Sequence, residues 1–318
     1  MRLSPVPLIL CLVLAACGGS DPEPSPDPPS EPTAATTTEP DGGGDAALSS
    51  TPPPPTDDGS SPAVNSIAVD PGDGTIIVGT GPALFRVDPG AKEGERILGT
   101  LNGASAPGTV SGNLVVRFTG PGTLLASGHP QAGDLPENLP LMTSSDHGDT
   151  WQVVPNTAEA DYHELEIFGD QLIAVSVESP DIQVSRDGGV SWEKRTPPQL
   201  PIDVVVDPSE PDHWAVSTEQ GTFLSTNGGQ SWRPRDASSG ARLAWPAKDK
   251  LYSLERNGQL RVSADGGQSF KPAGDVGGLP SEFTADGRKD ELYVAVVGGK
   301  VRKSSDGGKT WTTVATLR

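Results

Sequence analysis

Past residue 62 the chain reads as short apolar runs, rich in Val, Ile and Leu, separated by clusters of Gly, Asp, Asn, Ser and Pro. Runs of this length bounded by turn residues predict β-strands. One stretch predicts an inner strand over 163–168, a turn at Gly169-Asp170, and further strands over 171–177, 182–186 and 192–195. The earliest copy predicts four strands over 64–69, 75–79, 83–87 and 96–100. Between the third and fourth strands of the later copies lies one octet, S-x-[DN]-x-G-x-[TS]-[WF], at 144–151, 185–192, 225–232, 263–270 and 304–311. We call it the box. Its closing aromatics, Trp151, Trp192, Trp232, Phe270 and Trp311, are spaced 41, 40, 38 and 41 residues apart, so the copies are structural repeats.

A period near forty with four strands per copy is that of a propeller blade, which makes 63–318 an all-β propeller. Six blades fit, the first without a box, with the surplus residues in a long loop over 129–140. Seven blades follow if 101–110 hides strands. Within the boxes, Asp146, Asp187, Asn227, Asp265 and Asp306 are expected to brace their own turns by accepting backbone N–H groups. A calcium loop of the EF-hand type needs more oxygen ligands and a terminal Glu, so no metal and no cofactor is expected at the boxes.

Each box resembles the Asp box of sialidases and other BNR-repeat propellers, and the likeness covers most of 63–318. The stretch with Gly128-His129-Pro130 and Ala160-Asp161-Tyr162-His163 also resembles secreted bacterial propellers described as glycosyl hydrolases on the strength of their fold. A sialidase would carry an arginine triad, a Tyr nucleophile backed by Glu, and an Asp acid/base. The chain departs from that pattern. Phe85-Arg86-Val87-Asp88, the nearest match to the first-arginine motif, falls in a third strand, and Tyr252 and Tyr293 fall in second strands. Tyr162 stands where relatives would take Phe, which argues for packing.

The N-terminal segment has a different character. Arg2 precedes an apolar run over 6–16 that is too short to span a bilayer but suits the core of a signal peptide. The run ends in Leu14-Ala15-Ala16-Cys17, which resembles the lipobox of bacterial lipoproteins. The expectation is a signal peptide over 1–16, a lipid on Cys17 and an extracytoplasmic protein held to a bacterial membrane through that lipid alone. Residues 18–62 include 12 Pro and 9 Asp or Glu but no Lys, Arg or aromatic residue, so they cannot bury a core. Segment 17–62 is therefore read as a lipidated, disordered tether.

Charge and cysteine usage close off several functions. With 42 acidic against 23 basic residues the net charge is -19, which repels a phosphate backbone and excludes nucleic acid as the expected partner. Both cysteines lie within the first 17 residues, which removes disulfides, thiolate zinc sites and a Cys nucleophile from the propeller. The protein is expected to be a monomer.

Blade connectivity puts the boxes and the turns between first and second strands on one face. Ligands of propellers gather near the axis, so the box-free face is the place to look for a site. Aligning the copies on their second strands puts Asn65, Asn113, His163, Asp203, Arg242 and Glu282 in one polar column at the starts of the inner strands. Arg117 could line the axis as well. His129 should lie beside His163 from an adjacent blade, as a hydrogen-bonded pair, a ligand-binding pair or a weak metal site. The leading expectation is a binding propeller whose box-free face takes a glycan, a peptide or a partner protein. One alternative is a glycoside hydrolase using Asp161, Asp203 or Glu282. Another is an assembly factor for a membrane complex, by likeness to propellers of photosystem assembly and sorting receptors.

Overall fold

Six sheets, antiparallel apart from one strand pair in the second, follow one another along the chain in this computed structural model. It describes residues 63–102, 108–110, 112–129, 138–158, 160–176, 179–238 and 240–318. The leader 1–16, Cys17, the tether 17–62 and most of the loop expected over 129–140 lie outside the described residues. The first strands of the sheets are Val64–Val69, Leu114–Gly120, Tyr162–Phe168, Pro201–Asp207, Arg242–Ala247 and Pro280–Asp286. Each packs against the first strands of both neighbouring sheets, so they ring a common axis. The chain is a six-bladed β-propeller.

Burial between blades explains the apolar runs. A strand inside the stack presents alternate side chains to the blade on either side, so both of its faces must be apolar. Val204 and Val206 pack into the seam with blade 3, while Val205 packs into the seam with blade 5. Among the described residues every seam has its own hydrophobic cluster, including the one joining blade 6 to blade 1. Outer strands such as Glu193–Arg195 are largely solvated, which is why the apolar signal fades at the end of each repeat.

Blade 2 departs from the expected plan. The strand anticipated over 96–100 is divided: Glu95–Ile97 closes blade 1, whereas Gly99–Asn102 crosses to blade 2 and pairs in parallel with its outer strand Thr150–Val153. Gly108–Val110 then pairs with Gly99–Asn102. The 101–110 segment does hold strands, but they extend blade 2 to six strands and build no seventh blade. Gly99 permits the crossing, because a Cβ there would lie 2.6 Å from Trp151 Nε1 and 2.7 Å from the Gly148 carbonyl oxygen.

The box turns share one hydrogen-bond pattern. In the first, Asp146 Oδ1 accepts from Ser144 Oγ (2.8 Å) and from Thr150 N–H (2.8 Å), while Oδ2 accepts from Thr150 Oγ1 (2.6 Å). Ser144 Oγ accepts from Gly148 N–H at 2.9 Å, and Trp151 Nε1 donates to the Gly148 carbonyl at 2.9 Å. Asp187, Asp265 and Asp306 repeat the carboxylate bonds. Asn227 keeps the backbone bond to Ser231 N–H (3.0 Å) and donates its amide to Ser231 Oγ (3.0 Å). A neutral acceptor therefore serves the same turn.

Ring closure uses no exchanged strand. A parallel bridge joins Glu93 to Thr316, Gly94 N–H donates to the Thr316 carbonyl at 2.9 Å, and Leu317 packs into the cluster of that seam.

Candidate functional site

Inner-strand bulges set which residues face the axis. In blade 3, Tyr162 pairs with Ser176 and Glu164 with Val175, so His163 is the extra residue. Blades 4 and 6 show the same shift, pairing Pro201 with Thr218 and then Asp203 with Ser217, and Pro280 with Val296 and then Glu282 with Ala295. A bulge moves every later side chain by one position. The expected column is therefore staggered. His163, like Asn65 in blade 1, is the bulge residue, and the counterpart of Asp203 and Glu282 in blade 3 is Glu164.

Four carboxyl groups and two guanidinium groups meet at the axis. Arg117, from blade 2, donates through Nη2 to Glu164 Oε1 and through Nη1 to its neighbour's carbonyl, Val116 O, at 3.0 Å. Arg242, from blade 5, donates to Glu282 Oε1 (2.5 Å), to Ser281 O (3.2 Å) and to Ile202 O (3.2 Å), and Glu164 Oε2 lies 3.6 Å away. One arginine thus reaches blades 3, 4 and 6. Asp203 is buried and accepts from Leu243 N–H at 2.7 Å. Glu164 and Glu282 are buried too, and Glu166 completes the group two residues beyond Glu164.

The electrostatics follow from that crowding. Burial pushes the Glu166 carboxyl up to about 8, and nearby Asp203 and Glu164 add to the shift against the pull of Arg117. Asp203 and Glu282 are raised as well, by burial first and by the negative charge of Glu164. Burial opposes charge on Arg117 and Arg242, yet the surrounding carboxylates, Glu164 foremost for Arg117 and Glu282 for Arg242, hold both guanidinium groups above their ordinary value. The crowding thus favours the protonated form of Glu166 most clearly, because it has no ion-pair partner of its own among the described residues.

This layer divides the axial channel. On the box-free side lies a cavity of about 370 Å³ that brings together Asn65, Asn113, His163, Arg242 and Glu282, with Tyr162 and Leu200 among its other walls. Beneath it, Arg117, Glu166, Asp203 and Glu282 border a pocket of about 130 Å³. The box side opens separately, past Phe118, Pro246 and Arg288. Asp203 borders this inner pocket and does not line the outer cavity.

Amides and imidazoles line one wall of the mouth. Asn65 Nδ2 donates to Asn113 Oδ1, and Asn113 Nδ2 in turn meets His129 Nε2. Asn113 holds φ at +39°, a left-handed conformation that Asn tolerates better than most residues, with its N–H on Thr80 O at 2.8 Å. His129 and His163 have ring centroids 6.4 Å apart, and His163 Nε2 lies 3.0 Å from Asp161 Oδ2. Tyr162 is buried against Trp192, with ring centroids 5.1 Å apart, and burial pushes its hydroxyl up to about 12. Arg86 binds Asp149 and Glu95 away from the axis, so the axial arginines among the described residues are Arg117 and Arg242. Sequence reasoning missed Glu164 and Glu166. Their signal was two acidic residues of equal parity in an otherwise apolar inner strand.

No protein-family profile matches the sequence, and no curated protein does. Solved structures match the fold. YCF48 bound to D1 peptide aligns with a TM-score of 0.52 at 14% identity, covering 77% of this chain and 92% of that one. An ancestral GH74 enzyme aligns with a TM-score of 0.50 at 14% identity, covering 80% of this chain but only 39% of its own. YCF48 from Cyanidioschyzon merolae aligns at 16% identity, covering 80% and 85%, with a TM-score of 0.47. What these likenesses show is the β-propeller.

Proposed function

We propose that the protein is a membrane-tethered extracytoplasmic propeller that binds an extended peptide segment of a partner protein at its box-free mouth and does not turn it over. The observation carrying this reading is a mouth with aliphatic rim and amide wall over a floor of mutually satisfied ion pairs. Leu200 is 63% exposed at the cavity, and Leu279 and Val297, also exposed, adjoin through a 2.9 Å backbone bond at the corresponding end of blade 6. Aliphatic side chains of a peptide suit such a rim, and its backbone suits Asn65 and Asn113. Sugars favour exposed aromatic faces, and the tyrosine at this cavity is buried. A solved propeller of similar fold, YCF48, is bound to a peptide.

Hydrolysis is the weaker reading because it needs two carboxyl groups facing each other across an open cleft. Here Glu282 is paired with Arg242, Asp203 caps Leu243 N–H below the floor, and Asp161 meets His163. The raised pKa of Glu282, which lines the outer cavity, would suit a general acid.

Peptide-display selection and a glycan array on the immobilised full chain test the proposal. Selected peptides should lose at least about tenfold in affinity on Leu200→Asp and keep it on Asp306→Asn, which alters the opposite face. Glycan hits in place of peptides, or aryl-glycoside turnover abolished by Glu282→Gln, would sink it. The tether has its own test. Cys17→Ser should prevent lipid attachment and cleavage at that site, and radiolabelled fatty acid entering the variant would defeat the anchor.

A further inference from the structure

We propose that His129, Asp161 and His163 form a zinc site at the rim of the box-free cavity. Asp161 and His163 flank Tyr162 at the start of the inner strand of blade 3, and His129 follows the second strand of blade 2, Thr123–Gly128. The two segments are stitched together: Ser127 Oγ donates to Ala160 O at 3.0 Å and accepts from Tyr162 N–H at 3.4 Å. Gly128, at φ +137°, turns the chain where a Cβ would lie 2.3 Å from the Asn113 carbonyl oxygen. That turn delivers His129 toward blade 3.

One ligand atom from each of the three residues lies within 4.8 Å of the others. Tetrahedral zinc with bonds of about 2.0–2.2 Å holds its ligand atoms about 3.4 Å apart, so side-chain adjustments of about 1 Å close the site. Two imidazoles and a carboxylate are a donor set that zinc takes, with the fourth position left to solvent or a ligand in the cavity that His163 lines.

A second observation points to a cation. Asp161 is only 8% exposed, and its Oδ1 has no hydrogen-bond partner among the described residues. A buried carboxylate oxygen without a donor is costly, and a cation would satisfy it. A second cluster, Asp70, Asp73 and His147, has comparable spacing but no such need. There Asp70 accepts from Gly72 N–H (2.5 Å) and Gly122 N–H (2.9 Å) and meets His147 Nε2 (2.7 Å), which completes a turn. The zinc site would give the mouth an electrophile, since the axial arginines are already paired. It does not rest on the ligand being a peptide.

Chelator-stripped full-length protein, titrated with Zn²⁺ by calorimetry and with Co²⁺ by visible absorption, tests the site. The expected result is one equivalent of Zn²⁺ and a Co²⁺ spectrum of low-symmetry, four-coordinate type. His163→Ala and Asp161→Asn should each weaken uptake by at least about tenfold, while Asp73→Asn leaves it unchanged. The His163 side chain is 44% exposed, so its alanine variant should melt like the stripped wild type, which separates lost ligation from lost fold. Absence of stoichiometric uptake by the wild type, or uptake undiminished in both His163→Ala and Asp161→Asn, overturns the proposal.

Discussion

Arg242→Met is expected to destabilise the propeller by about 3–5 kcal/mol, the range for removing one partner of a buried ion pair. Among the described residues Arg242 is the only group bonded to Glu282 Oε1; it lies 3.6 Å from Glu164 and holds two backbone carbonyls, and both glutamates are buried. Methionine fills much the same volume but answers none of these acceptors. The raised pKa of Glu282 limits the loss, because the orphaned carboxyl can take up a proton. Glu282→Gln in the same chain should therefore recover a large part of it. Urea unfolding of the two single variants and the double variant at pH 7 measures the coupling. A loss below about 1 kcal/mol for Arg242→Met would mean that the axial ion pairs do not hold the fold.

Stability should peak between about pH 4 and 5 and fall toward neutrality. Glu166 ionises near 4.5 in the unfolded chain but is pushed up to about 8 in the fold, so the folded state retains a proton that the unfolded state has lost. Between those values the fold loses stability as the pH rises, and the raised Asp203 and Glu282 act in the same direction. Below pH 4 the sign reverses. Hydroxyl and amide donors from Ser191, Ser269 and Thr310 hold Asp187, Asp265 and Asp306 down at about 2. Their contribution is present above about 3.8 and is lost as the pH falls toward 2. Glu166→Gln should flatten the slope between pH 5 and 8 and raise stability at pH 8. Denaturation series from pH 3 to 9 decide this, and a wild type more stable at pH 8 than at pH 5 would contradict it.

Blade number and blade connectivity were legible in the sequence because both rest on features that recur from copy to copy. Alternating burial writes Val204, Val205 and Val206 as one apolar run, and the box recurs where the third strand turns back in blades 2 to 6. The departures come from single-residue events that leave no periodic trace. The inner-strand bulges of blades 1, 3, 4 and 6 leave no mark in the second strands, so an alignment on second strands takes the bulge residue His163 in blade 3 but the residue after the bulge, Asp203 or Glu282, in blades 4 and 6. One glycine under Trp151 lets Gly99–Asn102 leave its own blade for the next. The axial ion pairs were half visible for a related reason. Arg117, Arg242, Asp203 and Glu282 could be placed at the axis, but their pairing depends on distances across the ring, which no local pattern encodes.

Because every blade is contiguous in sequence, the joint between blade 6 and blade 1 is the one seam that the chain itself never crosses. Covalent continuity works there only through the long way round, so a thermal fluctuation that splays the ring has its natural starting point at this gap. Arg242 opposes such a fluctuation from the centre. Its contacts to blades 3, 4 and 6 act as spokes rather than rim joints, tying blade 5 to blade 3, with which it shares no seam, as well as to its two neighbours. The same arrangement makes the order of blades formally circular: a chain cut between two other blades and joined at the present ends would assemble the same hub.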